Sequence, residues 1–85
     1  MNERQAILVA VMELVRERHP DYPMWTVDSL VEAGEGKVAL EILCDNLDEL
    51  GAVLADETHA AVVAACETFG VARSRWPAAR EEPAR

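Results

Sequence analysis

The sequence predicts an all-α domain: a small four-helix bundle with a short second helix and a flexible C-terminal tail. Apolar residues recur every three or four positions in four separate stretches, which is the spacing of a helix with one face turned inward. Glycine and proline fall in the breaks between these stretches and in the tail, and no run alternates apolar with polar residues as a strand would. The 85 residues allow one domain, set at 1–70, with 71–85 as a partly flexible tail whose flexibility is expected past Trp76. A chain this short buries roughly 60–65% of its unfolded surface, so its function is expected on an outer face rather than in a deep pocket.

The first helix is predicted from Glu3 to Arg18, with Ile7, Leu8, Val11, Met12, Leu14 and Val15 at helical spacing. Pro20 and Pro23 exclude helix from the following connection, after which Met24 and Trp25 are expected to fold onto the core. Thr26 suits the N-cap of a short helix from Val27 to Ala33, with Gly34 as its stop and Gly36 extending the break. The third helix is predicted over 37–50, on the stripe Leu40, Leu43, Cys44, Leu47 and Leu50. Asp56 is the expected cap of the fourth, which ends at Gly70. Its inner stripe is Val62, Ala65, Cys66 and Phe69, and Ala60, Ala61 and Ala64 permit close helix approach.

Sixteen acidic residues against eight basic ones give a formal net charge of −8. The surplus is local: residues 26–70 hold ten acids and one base, Lys37, for a charge of −9. Such a field repels nucleic acid and anionic membrane and speeds encounter with a basic partner. No signal peptide or lipidation motif is present, so a cytoplasmic location is expected, where Cys44 and Cys66 serve as small buried thiols.

Neither catalysis, a metal nor a cofactor is predicted. His19 and His59 have no nucleophile motif beside them, and His59, Cys66 and Cys44 match no familiar zinc spacing. Asp28-Ser29-Leu30 matches the tripeptide that carries phosphopantetheine in acyl carrier proteins, making an acyl-carrier-like role with Ser29 as attachment site one alternative. There the serine opens a long acidic helix, whereas Gly34 and Gly36 interrupt this one. A helical adaptor that forms a homodimer through an apolar face is another. Glu41, Asp45 and Asp48, at spacings of four and three, share one helical ridge that a cationic partner would suit; Glu49, Glu35 and Glu32 lie near it.

The segments Leu30-Val31-Glu32-Ala33-Gly34-Glu35 and Ala39-Leu40-Glu41-Ile42-Leu43-Cys44-Asp45-Asn46-Leu47 resemble the MafI family of bacterial immunity proteins. The likeness spans about Leu30 to Phe69, and departs from the family at Asp48, where an aromatic is frequent. It implies a protein that binds and neutralises a cognate toxin, many such toxins being nucleases with basic active-site surfaces. On that expectation Glu32, Glu35, Glu41, Asp45, Asp48 and Glu49 contact toxin lysines and arginines. Trp25 and Trp76 are the candidate apolar anchors, since tryptophan is enriched at the energetic centres of interfaces; Trp25 is placed first in the core, and Trp76 either docks on its own domain or waits for a partner.

Overall fold

The computed structural model describes residues 2–77 of the chain. Four helices follow in order: α1 (Glu3–Arg18), α2 (Trp25–Glu32), α3 (Gly36–Glu49) and α4 (Asp56–Phe69), then a single 3-10 turn at Arg73–Arg75. No helix among these residues is long and apolar enough to cross a membrane.

Each helix forms and ends for local reasons. The Asn2 side chain caps α1 by accepting from the Gln5 amide at 2.8 Å, which satisfies one of the free N–H groups of the first turn. α3 closes where Gly51 takes φ +64, letting its amide reach the Asp48 carbonyl and the Ala52 amide the Leu47 carbonyl, each at 3.0 Å. A side chain at that left-handed angle would be strained, so glycine sets the stop.

Contacts between helix ends set the topology. Arg16 near the end of α1 bonds Asp28 near the start of α2, and Arg18 approaches Glu57 at the start of α4. At the other end of the molecule, Gly36 at the start of α3 meets Leu8 and the Phe69 ring that finishes α4. The helices therefore alternate in direction, as short connections require. α3 packs on α2, α4 and the 3-10 turn, while α1 packs on α4.

The core joins Leu8, Val11, Met12 and Val15 of α1 to Val27 of α2, Leu40, Leu43 and Leu47 of α3, and Val62 and Ala65 of α4. Leu40, Leu43 and Val62 are wholly sequestered. Burying each such side chain stabilises the fold by about 1.5–3 kcal/mol before chain entropy is set against it. Cys44 and Cys66 are free buried thiols with sulfurs 3.7 Å apart, as the reading of two small core residues expects. The hydrogen bond to Cys66 and burial hold the Cys44 thiol far above its ordinary value, and the nearby Asp48 and Asp45 carboxylates add to the shift.

Several boundaries differ from expectation. α2 begins at Trp25, so Thr26 lies inside its first turn and Met24 takes the cap position with no side-chain bond. Pro23 and the buried Met24 direct the chain into the helix without a polar cap. Gly36 belongs to α3 rather than to the break before it. A Cβ there would lie 2.6 Å from Phe69 Cε2, so the missing side chain makes room for the ring. Ala55, not Asp56, takes the cap position of α4. Ala60 and Ala64 face solvent, leaving Ala61 and Ala65 to meet neighbouring helices.

The domain also extends past the boundary set at residue 70. Val71 is in the core, Pro77 is buried and Trp76 packs against the core between them. The tail expected beyond Pro77 lies outside the described residues.

Candidate partner-binding surface

α3 turns one face to the core and the other to solvent because its apolar residues repeat by three and four. Glu41, Asp45, Asp48 and Glu49 occupy the outward half. Glu32 and Glu35 are also exposed, but they flank the turn between α2 and α3. At about 1.5 Å per residue that turn lies about 20 Å from Glu49, so the six acids do not form one compact cluster.

The ridge is not uniformly bare, which corrects the expectation of a continuous acidic face. Residues 71–77 fold back beside α3, and the Arg75 guanidinium donates to Asp45 Oδ2 at 2.7 Å. Glu41 is half-buried. Both partners of the Arg75–Asp45 pair remain about half exposed, so the pair contributes no more than about 1 kcal/mol. It does cancel the charge that Asp45 would offer a visitor. Asp48 and Glu49 are exposed and make no ion pair among the described residues.

These two acids occupy the last turn of α3, which contains no base. The carbonyl end of a helix is negative, so carboxylates there oppose the helix dipole. The fold gains nothing from their charge. A cation from outside would relieve both the dipole conflict and their mutual repulsion.

Trp76 is committed to its own domain. Its indole N–H donates to the Val71 carbonyl at 2.9 Å, and the Arg73 guanidinium lies over its ring with 5.2 Å to the centroid. His59 helps hold this segment by donating from Nε2 to the Pro77 carbonyl at 2.9 Å, which fixes its tautomer and occupies that nitrogen. Trp76 is thus a clasp on the fold and not the free anchor expected.

Trp25, expected in the core, is instead 74% exposed. At about 100° per residue it lies roughly 200° around α2 from the buried Val27, so it must face outward. Leu50, expected on the inward stripe of α3, is 63% exposed, and Val53 beside it 58%. Leu50 is the residue that follows the last helical one, at the end of the bundle. Asp48, Glu49, Leu50 and Val53 therefore form a mixed acidic and apolar surface. Trp25, at the start of the antiparallel α2, belongs to the same end of the molecule.

Two clefts flank Leu50. One, of about 310 Å³, lies toward the connection 18–22; the other, of about 240 Å³, is lined by Tyr22, Pro23, Asn46, Glu49 and Leu50 itself. Tyr22 is buried, and its hydroxyl has no well-formed hydrogen bond, although the Asn46 side chain lies close to it. Burial pushes the Tyr22 phenol above its ordinary value, with Asn46 acting in the opposite direction.

Among the described residues no three His, Cys, Asp or Glu side chains converge as metal ligands. Ser29 is exposed within α2, which ends three residues later at Glu32, so it does not open a long helix as the carrier serine does. Comparison with known protein families, curated proteins and solved structures yields no match.

Proposed function

We propose that this chain is an immunity protein that binds and neutralises a cationic toxin domain in the cytoplasm. The supporting observation is the end of α3, where Asp48 and Glu49, without an ion pair among the described residues, stand at the negative pole of a helix near exposed Leu50 and Val53. Charges that oppose their own helix suit a partner better than they suit the fold. The sequence resemblance to the MafI family and the local charge of −9 over residues 26–70 favour the same reading.

Binding follows in two stages on this reading. The negative field steers a basic surface toward the α3 end, raising the rate of encounter more than the lifetime of the complex. Leu50, Val53 and Trp25 then exclude water and supply the apolar contact that slows dissociation. A nuclease held in this way loses access to phosphate, because the surface it would offer nucleic acid is covered by carboxylates. Glu32 and Glu35, at the far end of α3, extend the field without joining the contact.

The proposal expects the adjacent gene to encode a large secreted protein with a variable C-terminal domain, and the test is co-expression with that domain. The proposal expects that domain to arrest growth alone, and expects this chain to restore growth and co-elute with it. A harmless neighbouring domain, or a toxic one that neither binds this chain nor is relieved by it, contradicts the proposal.

A further inference from the structure

We infer that the cleft between Tyr22, Pro23, Asn46, Glu49 and Leu50 captures the guanidinium of one arginine side chain from the partner. The inference rests on the proposed binding of a cationic protein and specifies how one of its cations is read.

Three features of the cleft converge on that side chain. Its walls are apolar where Pro23, Leu50 and the Tyr22 ring line it, which suits the methylene stem and flat face of an arginine. The Glu49 carboxylate stands at its edge without an ion-pair partner among the described residues. The Asn46 side chain lines the same cleft and brings a carboxamide to it, while the Tyr22 hydroxyl is sealed from solvent and leaves only the ring to the cleft wall.

The Tyr22 hydroxyl is sealed from solvent, so the polar groups a visitor can meet are the Asn46 side-chain amide and the Glu49 carboxylate. The carboxylate accepts only, and accepts most strongly. A strong acceptor at the rim of an apolar slot matches a group with several coplanar donors and no acceptor. Guanidinium has five such donors in a rigid plane, whereas an ammonium is a hydrated point charge with no flat face to stack. The cleft volume of about 240 Å³ admits one such side chain.

The other cleft beside Leu50 differs. Its lining includes Arg18 and His19 as well as Asp21, so it offers no comparable preference for a cation.

The test is an NMR titration of the full chain with N-acetyl-arginine methylamide, compared with the corresponding lysine and citrulline amides. Saturable amide shifts confined to residues 22–25 and 46–51 are expected. They should be absent with citrulline, at least about threefold weaker in affinity for lysine, and about tenfold weaker in Glu49→Gln. Tyr22→Phe keeps the ring in place and should leave binding unchanged, because the hydroxyl is sealed from solvent, while thermal melting confirms that both variants remain folded. Shifts spread over Glu35, Glu41 and Asp45, or binding unchanged in Glu49→Gln, overturn the inference. Failure of the cleft while the toxin domain still binds condemns the cleft alone. Arginine capture without toxin binding supports the cleft and contradicts the proposed partner.

Discussion

Reversing the charges at the end of α3 should move stability and binding in opposite directions. Asp48 and Glu49 lie in a last helical turn that holds no base. A carboxylate there is disfavoured, and a lysine favoured, by about 0.3–1 kcal/mol each. In Asp48→Lys/Glu49→Lys, Asp45 also gains a lysine four residues on, the better orientation for such a pair, which adds about 0.3–0.5 kcal/mol. Asp45 already accepts a hydrogen bond from the Arg75 guanidinium, which lowers that addition. The fold should therefore gain about 1–2 kcal/mol, raising the melting temperature by roughly 5–10 °C for a domain of this size. Binding changes the other way. Each exposed contact with a partner cation contributes about 0.2–1 kcal/mol, and reversal installs repulsion of similar size. The two positions together cost about 2 kcal/mol, close to a thirtyfold loss of affinity. Thermal denaturation by circular dichroism and isothermal titration against the toxin domain read the two quantities on the same preparation. Added salt should shrink the affinity loss, because exposed charges are screened. A lower melting temperature would show that the carboxylates support the fold, and an unchanged affinity would place the interface elsewhere.

Three further outcomes follow from the packing. Trp25→Ala should change stability by less than about 0.5 kcal/mol while weakening toxin binding, and Trp76→Ala should cost about 2–3 kcal/mol in urea denaturation; equal stability losses would refute the assignment of one tryptophan to the surface and the other to the fold. Gly36→Ala should destabilise by about 1–3 kcal/mol despite the better helix propensity of alanine, because its Cβ would lie 2.6 Å from the Phe69 ring; a stabilised variant would mean the ring moves freely. Tyr22 is the single tyrosine, so tyrosinate absorbance reports it alone. Its folded pKa is raised, so its contribution to stability is complete below 10.0 and is lost as pH rises through the folded value; a phenol titrating at or below 10.0 in the native state would contradict its burial.

Helices were legible in the sequence wherever an apolar stripe recurred over several turns. α1 has the predicted bounds, Pro20 stopping it as expected and the Asn2 side chain capping its start. The ends of α2 and α3 were less legible because they depend on what packs beside them. Gly36 reads as a helix breaker until Phe69 occupies the space above it. Thr26 reads as a cap until the burial of Met24 starts the helix earlier.

The candidate site shows the same division. Helical spacing placed Asp48 and Glu49 outward, but it could not show that Arg75, thirty residues beyond Asp45, would fold back to meet it. With the helix expected to start at Val27, Trp25 had no helical angle to read, and only the earlier start of α2 turns it to solvent. Its position between two turns suggested a seal on the bundle end, and the helical geometry decides otherwise. Leu50 continues the numerical pattern of the stripe one step past the last helical residue, where the pattern no longer guarantees a neighbour.

Cross-saturation NMR of the isotope-labelled chain bound to the toxin domain tests the central claim most directly. Saturation should concentrate at Asp48, Glu49, Leu50, Val53 and Trp25. A footprint on the outer faces of α1 and α4, with the end of α3 untouched, would contradict it.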